Sequence, residues 1–207
     1  MKKIILAGCA AAFVLAGCAS VDESQKNDAT PTSASPDTSA QTGKASGKTS
    51  TGVAGGYVWS ERMGELKRQM ETATHGTGVA VTQTSNNELQ INIPSDTSFA
   101  VGRAMIKRNF SPVLNQLAQG LRTNSNAEVR IIGHTDSTGT DAINDRLSLQ
   151  RAAATLNYLM GHGASSTVLK IEGRGSREPI VDNSTPAGRA QNRRVEIFVG
   201  ERAVQGS

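Results

Sequence analysis

From residue 88 to residue 199 the chain alternates short apolar runs with longer amphipathic stretches, and this alternation restricts its fold more than any other feature. Leu89, Ile91 and Ile93 alternate with Gln90 and Asn92, the period of a strand with one buried face. Ser111-Pro112 opens a helix, with Ser at the cap and Pro at the first helical position. Val113, Leu114, Leu117 and Leu121 give that helix an apolar stripe. After a strand over 128–133, the longest helix covers 141–160, with Ile143, Leu147, Ala154 and Leu159 near one face and Gly161 and Gly163 as its stop. A strand over 168–173, a short helix near 186–192 and a last strand, VEIFV (195–199), complete a β-α-β-α-β-(α)-β order. Alternation of this kind predicts an α/β fold, a two-layer α+β sandwich with the helices packed on one face of the sheet.

Upstream, residues 57–87 add a helix and a hairpin strand. The spacing predicts a helix over 57–72, whose stripe of Trp59, Met63, Leu66 and Met70 either packs on the domain or presents a contact face. Val79 and Val81 alternate with Ala80 and Thr82, and Ser85-Asn86-Asn87 supplies turn residues that tolerate positive φ. Residues 19–56 are rich in Ser, Thr, Ala and Gly and cannot bury enough surface to offset their ordering entropy, which predicts a disordered tether. Its root-mean-square reach is roughly 35 Å, and its taut length roughly 130 Å.

Residues 1–17 carry Lys2 and Lys3 ahead of an apolar stretch over 4–17, too short to cross a hydrocarbon core of ~30 Å. Leu15-Ala16-Gly17-Cys18 resembles the lipobox of bacterial lipoproteins. That resemblance implies cleavage before Cys18, lipid on its sulfur and, with Ala19 following, sorting to the outer membrane with the folded part facing the periplasm. Cys9 leaves with the signal, so neither a disulfide nor a thiolate metal site is expected. The resulting divisions are 1–17 signal peptide, 18–56 lipidated cysteine and tether, 57–87 helix and first hairpin strand, 88–200 main domain and 201–207 tail. Without Lys2 and Lys3 the net charge falls from +4 to about +2, and no polybasic tract remains, which argues against nucleic acid as partner.

The stretch GHTDSTGT (133–140) is where chemistry is concentrated. Metal binding finds little support, because His75 and His162 sit apart from His134 and no second ligand pair has suitable spacing. A hydrolase finds little either, since no serine lies in a nucleophile elbow. No catalytic residue, metal or cofactor is therefore expected. On the helix that follows, Asn144, Ser148 and Arg151 fall within one narrow polar stripe, bordered by Leu147. An aspartate at 136 and an arginine at 151, separated by amide and hydroxyl groups, suit a zwitterion: ammonium on the Asp, carboxylate on the planar Arg fork. An internal Asp136–Arg151 salt bridge, or an Asx turn at Asp136, fits the same residues as well.

Gly133-His134-Thr135-Asp136, Gly139 and the run Asn144-Asp145-Arg146-Leu147-Ser148-Leu149-Gln150-Arg151-Ala152 resemble the motifs of the OmpA-like peptidoglycan-binding domain. Ile171-Glu172-Gly173-Arg174-Gly175 and Gln191-Asn192-Arg193-Arg194-Val195-Glu196 extend the resemblance, which spans roughly 88–199. It implies a four-stranded mixed sheet in the order 1-4-2-3, and it implies an outer-membrane lipoprotein, not an enzyme, that holds peptidoglycan. By the same resemblance Asp136 and Arg151 grip meso-diaminopimelate of the stem peptide. Asn144, Leu147 and Thr135 line or adjoin the groove. Ser98 and Phe99 match the loop after the family's first strand, and Arg193 matches the arginine before the last strand, positioned to buttress Asp136. The family usually has Phe-Asp in the first loop; here Ala100 follows Phe99, so a carboxylate is missing. A periplasmic or outer-membrane protein remains open as a further partner, as does the oligomeric state.

Overall fold

The computed structural model describes residues 56–164 and 169–203, all within the unit Ser50–Ser207. The signal peptide, Cys18, the tether up to residue 55 and the last four residues lie outside the described part. In chain order the elements are β1 (Tyr57–Val58), α1 (Glu61–Thr74), β2 (Ala80–Gln83), β3 (Glu88–Pro94), α2 (Ser95–Ser98), α3 (Ser111–Arg122), β4 (Ala127–Gly133), α4 (Asp141–Gly161), β5 (Leu169–Gly173), α5 (Pro186–Asn192) and β6 (Arg194–Arg202).

The sheet runs β2-β3-β6-β4-β5, with β1 pairing to β6. Its last four members reproduce the expected 1-4-2-3 order, and β2 extends it as the hairpin partner of β3, with Asn87 at φ +60° in the connecting turn. Only β4 and β5 are parallel, and a parallel pair needs a long crossover, which α4 supplies. Leu89, Ile91, Ile93, Val129, Ile131, Val195, Ile197 and Val199 turn one face of the sheet into the core; Met63, Leu66 and Met70 of α1 and Val113, Leu114, Leu117 and Leu121 of α3 cover it. Full burial of an aliphatic side chain contributes roughly 1.5–3 kcal/mol. Met63 and Met70 are completely buried. Met63, Leu66 and Met70 are therefore core, and Trp59 packs against it partly buried.

Several boundaries differ from expectation. Helix α1 begins at Glu61, because Tyr57 and Val58 pair with Arg202 and Glu201 and Ser60 then caps the helix through the Met63 N–H. Ser111 is not a cap, since the 3₁₀ turn Arg108–Phe110 runs straight into α3 and puts Ser111 at its first position. Strand β6 continues to Arg202, where β1 and β4 both have partners for it, so Glu201 and Arg202 belong to the sheet and not to a tail.

The largest difference is the orientation of α4. Its buried residues are Asn144, Ser148, Arg151, Ala152, Thr155 and Leu159, while Ile143 is 51% exposed and Leu147 only half-buried. The polar stripe faces the protein because α4 lies directly on strand backbone. A Cβ on Gly133 would come within 2.0 Å of the Ser148 carbonyl oxygen, and one on Gly173 within 2.7 Å of the Leu149 nitrogen. Ser148 Oγ donates to the Asp145 carbonyl (2.9 Å) and accepts the Gly175 N–H (3.0 Å). Gly133→Ala is therefore expected to cost about 3 kcal/mol or more in urea unfolding, as overpacking against rigid backbone. Gly161→Ala, at the end of the same helix with nothing within 4 Å of the added carbon, should stay within about 1 kcal/mol of the parent on the stabilising side.

Candidate functional site

At the end of the sheet where β3, β4 and β5 finish and β6 begins, four charged side chains converge. Asp136 reaches this end because β4 stops at Gly133 and the loop turns, with the Thr135 N–H donating to the Gly175 carbonyl at 2.9 Å. Asp136 Oδ1 accepts the Thr138 N–H at 2.8 Å, and Oδ2 accepts from Arg193 Nη1 at 2.6 Å. Arg193, at the end of α5, spends its other edge on Asp96: Nε to Oδ1 at 3.0 Å and Nη2 to Oδ2 at 2.5 Å. Asp96 sits on the one-turn helix α2, immediately beyond Pro94, which pairs with Arg194 across the sheet.

Arg151 stands apart from these pairs. It is 3% exposed, donates Nε to the Arg103 carbonyl at 3.2 Å and lies over the Phe99 ring with 5.6 Å to the centroid. Among the described residues it forms no ion pair, and its buried Nη1 has no hydrogen-bond partner. The internal Asp136–Arg151 bridge does not form; Arg193 takes Asp136 instead. Thr135 and Asn144 are buried nearby in the chain fold, with Thr135 Oγ1 and Asn144 Nδ2 also unpartnered. Burial lowers the Arg151 pKa, and the Asp96 carboxylate opposes that effect most strongly.

The loop after β3 is tied into the protein. Ser98 is buried, its hydroxyl donates to the Pro94 carbonyl at 2.9 Å and its carbonyl accepts the Lys107 N–H at 2.8 Å, so both groups are engaged within the protein. Phe99 is buried and serves as the platform under Arg151. Asp96, a residue the sequence analysis did not single out, brings a carboxylate to this end of the sheet through its bonds to Arg193. The cross-strand register would have revealed it, because Pro94 opposite Arg194 places Asp96 and Arg193 just past the same end of the ladder.

Behind the loop, His134 is buried with Nε2 at 3.6 Å from Glu196, which also accepts from Arg194 Nε at 2.8 Å. Burial raises the Glu196 pKa, but His134 and Arg194 outweigh it and hold the carboxyl at about 2. His134 is thus enclosed structure and not part of the exposed chemistry. No group of three or more His, Cys, Asp or Glu side chains among the described residues fits a metal ion, and none of their helices is long and apolar enough to cross a membrane. A depression of about 140 Å³ lined by Tyr57, Glu88, Glu128, Arg130, Lys170 and Phe198 lies at the opposite end of the sheet. Its acidic groups are already held, Glu88 by Arg130 and Glu128 by Tyr57.

A four-stranded mixed sheet with β2 added, backed by helices on one side and ending in a charged site, defines an OmpA-type α+β domain. Residues 98–193 match the OmpA family. The probable lipoprotein YiaD of Escherichia coli K12 is 37% identical over 142 residues, 69% of this chain and 63% of that protein. The peptidoglycan-binding protein ArfA of Mycobacterium tuberculosis is 43% identical over 98 residues, 47% of this chain and 30% of that one. The chain thus spans less than two thirds of the length of either curated relative. The cell wall anchor of the T6SS from Pseudomonas aeruginosa superposes with a TM-score of 0.60 at 30% identity, covering 66% of this chain and 97% of that structure. The chain belongs to the OmpA family.

The Asp96–Arg193–Asp136 bridge gives a pH prediction. The pKa of Asp96 is lowered chiefly by Arg193; that of Asp136 is raised by burial and lowered further by Arg193 and Thr138. For a lowered folded-state pKa, the stabilisation is complete above the unfolded value near ~3.9 and is lost as pH falls through the folded value. Arg193→Ala should therefore destabilise the protein by about 1–3 kcal/mol at neutral pH. The gap from wild type should close as urea unfolding is repeated from pH 5 downward; a gap independent of pH would contradict the bridge.

Proposed function

We propose that this chain is a non-enzymatic lipoprotein that binds peptidoglycan and tethers the outer membrane to the cell wall. In this proposal the acyl chains on Cys18 hold one end in the outer membrane, and the domain faces the periplasm and grips meso-diaminopimelate of the stem peptide. The free end of that residue carries an ammonium and a carboxylate on one carbon. The observation that carries the proposal is Arg151: a buried guanidinium whose Nη1 has no hydrogen-bond partner and which has no carboxylate partner among the described residues, next to a fixed pair of aspartates. A buried charge left unpaired is costly, and a ligand carboxylate would supply the missing counter-ion in bidentate geometry.

The names of the relatives support the same ligand, since one is a peptidoglycan-binding protein and another a cell wall anchor. Thr135, Asn144 and Leu147 are assigned to the groove wall, with Phe99 fixing the plane of Arg151. The site is small and its rim solvated, so a single grip is weak, and many copies on one continuous layer supply avidity.

The test is sedimentation of residues 57–207 with purified diaminopimelate-type sacculi. Wild type should pellet. Asp136→Ala and Arg151→Ala should each weaken binding by about thirtyfold or more, the scale of truncating one partner of a buried charged contact, with circular dichroism unchanged. Equal pelleting of all three proteins would place binding elsewhere, and no pelleting of wild type would exclude peptidoglycan as the ligand.

A further inference from the structure

Arg193 has no fork left for a ligand. Nε and Nη2 face Asp96, and Nη1 faces Asp136. Arg151, by contrast, keeps a buried Nη1 with no hydrogen-bond partner among the described residues. The two carboxylates also differ. The Asp136 side chain is 10% exposed, with one oxygen on a backbone N–H and the other on Arg193. The Asp96 side chain is 50% exposed, and each of its oxygens accepts a single hydrogen bond, from the same Arg193. A carboxylate oxygen has about two acceptor sites, so Asp96 keeps unused acceptor capacity toward solvent. It is also the carboxylate with the strongest pull on the buried Arg151.

Resting on the proposed function, we infer that Asp96 is a ligand-contacting residue that, together with Asp136, receives the ammonium of the ligand's zwitterionic end while Arg193 only bridges the two. This makes Asp96 a determinant of specificity. Arg151 selects for the carboxylate, and the Asp96–Asp136 pair selects for an ammonium on the same carbon. The four side chains carry two negative and two positive charges, and Lys107 adds a positive charge beside them with Nζ on the Asp96 carbonyl at 2.5 Å. A ligand end with a carboxylate but no ammonium leaves the Asp96 and Asp136 carboxylates without the cation they would receive, and is disfavoured.

Two probes separate contact from support: the tripeptide L-Ala-γ-D-Glu-meso-diaminopimelate, and the same tripeptide with 2-aminopimelate, which keeps the terminal carboxylate and lacks the terminal ammonium. Calorimetric titration of the full chain in detergent should show wild type preferring the first by about tenfold, the scale of one charge-assisted contact. Asp96→Asn should bring that ratio close to one by weakening the diaminopimelate peptide alone, and Asp96→Glu should restore part of it. Equal weakening of both peptides would mean that Asp96 acts only by placing Arg193, which overturns the inference. An unchanged preference in Asp96→Asn would overturn it too, leaving the Asp136–Arg151 clamp standing. A wild type without preference would bring down the clamp itself and, with it, the role of Asp96.

Discussion

The close contact between α4 and the backbone at Gly133 and Gly173 is the constraint from which the site follows. With no side chain on either strand end, the helix comes near enough for Ser148 to bond across to Gly175. A helix seated on backbone does not need an apolar underside there; it needs polar groups that satisfy what it covers. Ser148 meets that need through Gly175, and the polar stripe of Asn144, Ser148, Arg151 and Thr155 is buried while Ile143 is not. The same seating brings Arg151 to the end of the sheet where Asp136 and Arg193 emerge. Glycines, helix orientation and charged cluster are three expressions of one packing distance.

Electrostatics then divides labour among the four charges. Arg193 is raised in pKa by its bonds to Asp96 and Asp136, and it fixes both carboxylates in place. Arg151 is held by other means: a carbonyl on Nε and an aromatic ring beneath its plane. A guanidinium positioned by neutral groups has no counter-ion of its own and is available to an incoming anion, whereas one positioned by carboxylates is already neutralised by them. On the proposed reading that difference separates a binding residue from a bridging one, and neither distance along the chain nor residue type reveals it.

Much of this was legible in the sequence. Period-two alternation located β2 and β3, the strands expected over 128–133, 168–173 and 195–199 are β4, β5 and β6, and the motif resemblance supplied the strand order that the structure shows. Asp136 and Arg151 were singled out by residue type and helical spacing. The register of α4 was misjudged, because apolar spacing assumes that a helix packs on side chains, and here it packs on glycine backbone. Tyr57 and Val58 were taken for helix because a two-residue strand has no periodicity to detect; only the β6 partner makes it one. Asp96 carries no motif of its own; only the one-turn helix after β3 brings its carboxylate to Arg193. Each failure concerns a feature set by tertiary contact rather than by local preference.

The positions of the two ends of the domain bear on tethering. β6 runs from Arg194, beside the site, to Arg202, where it pairs with β1. Chain entering at Tyr57 is therefore attached at one end of β6, and the charged cluster lies at the other. On the proposed reading, load applied between membrane and wall acts along β6, parallel to its ladders with β3 and β4, so many hydrogen bonds resist together and none is peeled singly. The entry point is reinforced beyond its two strand pairs. Tyr57 Oη donates to Glu128 at 3.0 Å, and its ring lies on Gly200, where a Cβ would come within 2.5 Å. Ser60 Oγ and Asn124 Nδ2 both donate to one oxygen of buried Glu201 at 2.8 Å. These bonds join the first turn of α1 to the end of β6 and to the loop before β4. The segment 57–74 lies outside the matched family region of 98–193, yet it contributes Met63, Leu66 and Met70 to the core. On the proposed reading the mechanical unit is thus larger than the matched region, because the chain enters through β1 and the helix directly behind it, α1, fills the core.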